Sequence, residues 1–386
     1  MHAAATMLST PAALDGRFAA APCAPCRFAG STPADVAAWR ATLLPKLRKC
    51  MLGGLLVPPP APPAAAVIGG PCPLKVQTLS VVQCEAYEQR YIQYETREGT
   101  LVPAYLLVPH APGPHPAVLC VAGHTPNGKA DVAGIDGVAS TELGAAYGRV
   151  LAEAGCVTLC PDNAGMGERR DADDAEGCVT TWRKLNMMGV DLTGFRCADL
   201  MRGVDLLESM LEVDSNRIGL AGLSGGCWLG LVLAALEPRI QACALSGFFT
   251  TFAQTNWVGH CVCHHPFGIG ALCEMPDIAG LIAPRPIFVE WGEEDASRPL
   301  QPALDMVKEI YAAAATASEG GGTTGAKGGE GAGVHDGGGA AAVSSHVFAA
   351  GHMFHGGQSL PWLHETLLAV KIPPAAVEGA DGSAKM

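Results

Sequence analysis

The sequence predicts an α/β fold in which a mainly parallel sheet of about eight strands carries helices on both faces. Short, continuously apolar runs such as "AVLCVAG" and "VTLCPD" are typical of strands buried on both faces, and helical runs separate them along the chain. Hydrophobic residues make up 49% of the 386 residues and charged residues only 16%, so the chain can fill a large core.

A helix and a hairpin are predicted before the alternating pattern begins. The helix covers 32–54, with Ser31 or Thr32 as its cap and Gly53 at its end. Two strand-like runs follow, "VQTLSVVQCEAYEQRYIQYET" and "LVPAYLLVPH", and the residues "REGT" between them indicate a hairpin turn.

From residue 116 onward the pattern predicts alternating strands and helices. The predicted strands are 116–124, 156–162, 217–224, 240–249, 285–295 and 345–353. The predicted helices are 140–155, 197–213, 225–238, 299–315 and 360–370. In such a sheet, ligands bind beyond the carboxyl ends of the strands, so polar residues at those ends are the candidates for function.

Composition predicts one large domain, 32–372, with less ordered segments around it. Residues 1–31 form an Ala-rich extension, 318–345 a Gly-rich disordered insertion, and 373–386 a flexible tail. The extension is compatible with an organelle transit peptide and equally with GC-rich coding bias.

Charge and cysteine usage limit the possible partners and compartments. A net charge of −12 argues against a nucleic-acid surface, and no run of 18 apolar residues could span a membrane. The 15 cysteines are an odd number, and several lie in apolar runs, which favours reduced, buried thiols. We therefore expect an intracellular, reducing compartment, the cytoplasm first and a plastid or mitochondrion as the alternative. The oligomeric state stays open.

The stretch "RIGLAGLSGGCW" combines a predicted strand, a Gly-x-Ser-x-Gly pattern and a predicted helix. This arrangement is a nucleophile elbow, in which glycines two residues before and after the serine let the strand and helix approach closely. Ser224 is then the exposed hydroxyl, and the Gly225 amide points from the helix N-terminus toward the reacting oxygen.

A serine hydroxyl needs a base, and in this strand–helix pattern an acid and then a histidine should follow the serine along the chain. The end of the strand "IFVEW" offers Glu293, Glu294 and Asp295, and the loop after the last strand offers His352 and His355. The order and the positions at strand ends both fit, and the choice within each set stays open at this point.

The chain resembles α/β-hydrolases of the dienelactone-hydrolase-like and acetyl-xylan-esterase-like branch. The resemblance is carried by "CVAGHTPNGK", "CPDNAGMGER", "RIGLAGLSGG", "DIAGLIAPRPIFVEWGEED" and "FAAGHMFHG". It implies Ser224 as nucleophile, Asp295 as acid and His352 as base, with Glu294 and His355 as their alternatives.

The resemblance also implies that a second oxyanion donor comes from the loop after the "PAVLCVAG" strand. Relatives often have His-Gly there, whereas this chain has Ala122-Gly123-His124. The donor is a backbone amide, so we assign it to His124, with Thr125 as the alternative.

The function that follows is a serine hydrolase that cleaves carboxylic esters with small acyl or acetyl groups. The alternatives are a peptidase or thioesterase with the same triad, or a catalytically silent binding protein of this fold. The partner is a small-molecule ester, and no cofactor is expected, because the chain has no dinucleotide fingerprint or phosphate loop.

The segment "GHCVCHHPFG" contains zinc-type ligands packed within six positions. They are His260, Cys261, Cys263, His264 and His265. Structural zinc sites usually separate paired ligands by two to four residues, whereas one residue separates the two cysteines here. The expectation is therefore a wall of the substrate pocket, with no metal.

Overall fold

The computed structural model describes residues 26–55, 74–97, 99–140, 143–144, 146–170, 177–255, 259–295, 300–315 and 343–370. Most of the predicted N-terminal extension, the Gly-rich insertion through 342 and the predicted tail lie outside these ranges. The predicted boundaries of the domain therefore stay predictions. At one point they need correction, because a strand begins at Val343, within the predicted insertion.

Nine strands of the described ranges form a single sheet. They are β1 (Gln77–Gln83), β2 (Tyr87–Arg97), β3 (Thr100–Pro109), β4 (His115–Val121), β5 (Val157–Pro161), β6 (Val213–Leu223), β7 (Ile240–Ser246), β8 (Ile287–Gly292) and β9 (Val343–Phe348). Their spatial order is β1-β2-β3-β5-β4-β6-β7-β8-β9. The first three strands and the β3–β5 pair are antiparallel, and every pairing from β5 to β9 is parallel. The predicted fold class is confirmed.

The sheet has one strand more than expected at its antiparallel edge. The first predicted run contains both β1 and β2, because a turn at Cys84, closed by its N–H on the Tyr87 carbonyl (3.0 Å), reverses the chain. All seven residues of β1 are exposed. An exposed edge strand lacks the alternation of apolar and polar residues that marks a half-buried strand. The sequence therefore did not show where β1 ends and β2 begins.

The α-helices of the described residues cover both faces of the sheet. They are α1 (Pro33–Leu52), α2 (Lys129–Ala133), α3 (Tyr147–Glu153), α4 (Cys178–Met187), α5 (Leu192–Ser209), α6 (Gly225–Leu236), α7 (Met275–Gly280), α8 (Gln301–Ala315) and α9 (Ser359–Leu368). None of them combines the length and apolarity needed to cross a membrane.

The first helix begins and ends where the sequence predicts. Thr32 caps it, with its side chain accepting from the Asp35 N–H (3.2 Å) while the Asp35 carboxylate accepts from the Thr32 N–H (3.0 Å). Gly53 follows its last residue as the C-cap. This reciprocal capping satisfies amide groups that would otherwise lack partners.

Five helices differ from expectation, among them the short α2 and α7, which were not predicted. The helix α4 was not predicted, and it lies between Gly177 and Gly189, which both have positive φ. The helix α5 starts at Leu192, five residues earlier than predicted, because the Asp191 side chain caps it through the Gly194 N–H (2.9 Å). Of the helix predicted for 140–155, the described residues form α3 over Tyr147–Glu153.

The core is densest around the middle strands. Every residue of β4, β5 and β8 is buried, and so is every residue of α6, which lies against β6 and β7. The opposite face is covered by α3 and α9. A third, much smaller hydrophobic cluster, which we call the small core, lies beside the main body. It comprises Ala164, Met166, Cys178, Leu185, Leu192 and Cys263.

Candidate active site

Ser224 occupies a strained turn between β6 and α6. Its backbone angles are φ 57° and ψ −116°, a region that non-glycine residues rarely adopt. Its N–H donates to the Ser246 carbonyl (2.8 Å) on β7, which fixes the turn to the neighbouring strand. A methyl group on Gly226 would lie only 2.0 Å from the Val121 carbonyl oxygen, so the elbow needs glycine there. This is the geometry of a nucleophile elbow.

The strain at Ser224 has a measurable consequence for stability. Ser224→Gly is expected to raise the free energy of unfolding by about 1 kcal/mol, because glycine adopts these angles without strain. Ser224→Ala is the matched control, since alanine removes the same hydroxyl and keeps the strain. Chemical denaturation of the three proteins tests this, and equal stability of the two variants would contradict it.

His352 and Asp295 meet at the carboxyl ends of β9 and β8. His352 Nδ1 lies 2.7 Å from Asp295 Oδ2, and the Asp295 side chain is only 11% exposed. A proton on Nδ1 donated to the carboxylate leaves Nε2 of the neutral ring as a proton acceptor. The contact therefore fixes the orientation of the imidazole ring.

Ser246 connects the elbow to the histidine loop. Its carbonyl accepts the Ser224 N–H, and its hydroxyl donates to the Met353 carbonyl (3.0 Å), next to His352. A methyl group on Gly247 would lie 3.0 Å from His352 Cε1 and 3.4 Å from Leu223 Cδ1. The structure thus brings Ser224 and the His352–Asp295 pair to one edge of the sheet.

The alternative residues have other contacts. The Glu294 N–H donates to the Ala350 carbonyl (3.1 Å), which anchors the acidic turn to the histidine loop. The His355 ring stacks on Phe348 at 4.8 Å between centroids, and its Nδ1 accepts the Gly357 N–H (3.2 Å). The histidine that contacts an acid of the turn is His352.

Glu290 is a functional residue that the sequence analysis missed. It lies fully buried in β8, and its carboxylate accepts the N–H groups of His355 (2.9 Å) and Gly356 (3.2 Å) and the Ser359 hydroxyl (2.6 Å). These bonds hold the chain just after His352. An acid inside an apolar strand was the available signal, because a buried carboxylate requires hydrogen-bond partners.

Glu290→Ala is expected to lower the free energy of unfolding by about 3 kcal/mol, because it leaves several buried donors without an acceptor. Glu293→Ala, at an exposed position in the turn after the same strand, is the control and should stay near wild type. Urea denaturation measures both, and a small effect at Glu290 would contradict the anchoring role.

The loop after β4 packs directly against the elbow. A methyl group on Gly123 would lie 2.3 Å from the Leu223 carbonyl oxygen and 3.2 Å from the Gly225 nitrogen. The buried Asn163 side chain donates to the Ala122 carbonyl (2.7 Å) and holds this loop from the end of β5. The chain at Gly123 and His124 therefore passes beside Gly225.

Comparison with known proteins agrees with this fold and geometry. The model of the Abhydrolase family matches residues 29–319. The chain belongs to this family. YtaP of Bacillus subtilis strain 168, a protein named as a hydrolase, is 25% identical over 248 residues, which cover 62% of this chain and 81% of YtaP. The 2,6-dihydropseudooxynicotine hydrolase of Paenarthrobacter nicotinovorans is 27% identical over 157 residues, 40% of this chain and 34% of that one.

Solved structures with the same fold include named esterases. A Bacteroides fragilis protein described as an acetyl xylan esterase has a TM-score of 0.64 at 20% identity, and the match covers 80% of both chains. A glucuronoyl esterase from Teredinibacter turnerae has a TM-score of 0.60 at 16% identity, covering 89% of this chain and 88% of its own. The predicted membership of the α/β-hydrolases is confirmed at the level of family and fold.

In this Abhydrolase-family protein, a buried lysine joins the loops after β4 and β5. Lys129 is 3% exposed, and its Nζ contacts Asp162 Oδ2 (2.7 Å) and Glu168 Oε1 (2.5 Å). Burial raises the pKa of Glu168, but hydrogen bonds from Lys129 and Tyr91 outweigh it and hold the pKa below its ordinary value. The network rigidifies the strand ends that flank the elbow.

The predicted pocket-wall segment of this family member contacts the elbow. A methyl group on Gly225 would lie 3.1 Å from His124 Nδ1 and 3.2 Å from His264 Nε2, so both rings border the candidate site. Cys261 and Cys263 of the same segment approach His124 and also Cys178 of α4. Among the residues that the structure describes, these four form a group that could hold a metal ion, a combination that the sequence analysis did not predict.

A separate cleft lies elsewhere on this protein. Its volume is about 770 Å³, and α1, α4 and the segment 265–272 contribute to its walls. None of the predicted catalytic residues is among those that line it.

Proposed function

We propose that this protein is a serine hydrolase that cleaves carboxylic esters through an acyl-enzyme. The observation that carries the proposal is the 2.7 Å contact between His352 Nδ1 and Asp295, at the sheet edge where Ser224 adopts its strained turn. An oriented imidazole beside an elbow serine is the arrangement that activates a hydroxyl for attack on a carbonyl.

The mechanism assigns one role to each group. His352 Nε2 takes the Ser224 proton as the oxygen attacks the ester carbonyl, and Asp295 holds the imidazole and stabilises the imidazolium. The amides of Gly225 and His124, with Thr125 as the alternative, stabilise the oxyanion. The histidine then protonates the leaving alcohol and activates the water that releases the acid.

The substrate class follows from the relatives and the chemistry. Structures with this fold include proteins named as acetyl xylan and glucuronoyl esterases, both of which act on ester bonds. We assign small acyl groups, acetyl first, attached to an alcohol. The thirteen cysteines of the described residues are free, ten of them buried, which supports a reducing compartment for this enzyme.

A fluorophosphonate probe with peptide mapping tests the proposal. We expect labelling at Ser224, lost in Ser224→Ala and His352→Ala and retained in the control Ser209→Ala. p-Nitrophenyl esters from acetyl to octanoyl, a matched acyl thioester and a peptide anilide are assayed alongside. Faster thioester or anilide cleavage would replace the ester assignment, and a folded protein without labelling would identify a silent binding protein.

A further inference from the structure

Four metal-ligand atoms from three separate parts of the chain converge beside the elbow. They belong to His124 after β4, Cys178 at the start of α4, and Cys261 and Cys263 in the segment after β7, and all lie within 4.8 Å of one another. Cys178 is 83 residues or more from either cysteine of the segment, so only the tertiary fold brings these sulfurs together.

The distances suit a single tetrahedral ion. Zinc–ligand bonds of about 2.3 Å to sulfur and about 2.0 Å to nitrogen place tetrahedral donors about 3.8 Å apart for two sulfurs and about 3.6 Å apart for sulfur and nitrogen. His124 Nε2 lies 3.5 Å from Cys178 Sγ and 3.3 Å from Cys263 Sγ, close to this spacing. The Cys261 and Cys263 sulfurs lie 3.2 Å apart and need to separate only slightly.

The Cys261–Cys263 pair owes its position to a short turn. Cys261 precedes the 3₁₀ turn Val262–His264, and this turn brings its sulfur onto the same side as that of Cys263. The Cys263 carbonyl accepts the Thr193 hydroxyl (3.0 Å), which ties the turn to α5. The one-residue spacing that argued against zinc in the sequence is therefore compatible with two ligands.

A buried guanidinium matches the charge of a filled site. Arg196 is 1% exposed, and its Nη2 donates to Cys178 Sγ (3.1 Å) and to the Ala164 carbonyl (2.6 Å). Three thiolates and a neutral histidine around a divalent cation carry one net negative charge, which the guanidinium balances. Hydrogen bonds from outside to ligating sulfurs are typical of metal sites.

The position of the cluster indicates what a bound ion would do. Cys178 and Cys263 belong to the small core, which has only six buried residues to hold α4 and the segment 259–265 against the main body. The fourth residue, His124, lies on the loop after β4, to which the second oxyanion donor is assigned. An ion here would join that loop to the small core.

We propose that His124, Cys178, Cys261 and Cys263 bind one structural Zn²⁺ ion. Protein ligands fill all four tetrahedral positions, so no position remains for a catalytic water, in contrast to catalytic zinc sites. Binding replaces the thiol protons, which pass to solvent. The ion fixes the position of the loop after β4 and does not take part in ester cleavage.

Metal analysis of the untagged full-length chain, purified with a reductant, tests the proposal. We expect elemental analysis to find about one zinc per chain. The chain stripped with a chelator should rebind one equivalent of Zn²⁺, and Co²⁺ in its place should show thiolate-to-cobalt charge transfer and tetrahedral d–d bands. Absence of zinc combined with failure of the stripped, folded chain to bind Zn²⁺ or Co²⁺ would overturn the proposal.

Variants locate the ion. Cys178→Ser and Cys263→Ser are expected to weaken zinc binding by at least about 100-fold, more than loss of an outer-shell partner does. Cys84→Ser, a half-buried thiol in the turn before β2, is the matched control and should keep the full zinc content. Full zinc content in both ligand variants would place the ion elsewhere and reject the assignment. The measurement uses no substrate, so its outcome is independent of ester hydrolysis.

Discussion

Ser224→Ala is expected to lower kcat for a p-nitrophenyl ester by about 10⁶-fold, because loss of the nucleophile leaves only substrate binding and the oxyanion amides. The strained turn positions the hydroxyl, and the backbone bond to Ser246 does not involve the side chain, so the variant should remain folded.

Steady-state kinetics with purified Ser224→Ala measures this loss, and circular dichroism checks the fold. Ser209→Ala, at the end of α5, removes a hydroxyl of the same type outside the site and should match wild type. Residual activity within tenfold of wild type would mean that another group attacks the carbonyl, and the acyl-enzyme mechanism would have to be abandoned.

Asp295→Asn is expected to lower kcat by about 10⁴-fold, since an amide at this position favours the wrong tautomer of the catalytic imidazole. His352→Ala should cost about 10⁶-fold, comparable to loss of the nucleophile, because the two act as a unit. The double variant that combines His352→Ala with Ser224→Ala should have a kcat no lower than that of either single variant.

Glu294→Gln is the matched control for Asp295, and His355→Ala is the matched control for His352. The two controls test the alternative acid and base directly. Each keeps the backbone hydrogen bonds of its loop and removes the rival acid or base. Activity near wild type in both, with the large losses at Asp295 and His352, supports the assignment. If Glu294→Gln or His355→Ala instead produced the large loss, the triad would be reassigned to that residue.

The alternating pattern of apolar runs and helices was sufficient to predict the fold class, because strands buried on both faces consist almost entirely of apolar residues. The elbow was predictable for a related reason. The close approach of Gly226 to Val121 requires glycine, so the constraint is visible as a short local motif. The candidate acids and histidines were predictable because they follow the ends of two later predicted strands, in the order along the chain that this fold requires.

Glu290 and the small core show where sequence reasoning stops. The role of Glu290 depends on donors more than sixty residues further along the chain, and no local pattern specifies them. The helix α4 lacks the apolar runs that mark the larger helices, so the sequence showed only a loop rich in acids beside it.

The sequence by itself determined the class of fold and the elbow pattern around Ser224, because local periodicity and glycine requirements are written into consecutive residues. The family was indicated by the motifs that the chain shares with α/β-hydrolases. Only the tertiary structure decided that His352 contacts Asp295 and that Cys178 joins Cys261, Cys263 and His124. Contacts between distant segments depend on how strands and helices pack in three dimensions. The spacing of ligands along the chain therefore could not predict the site where they meet.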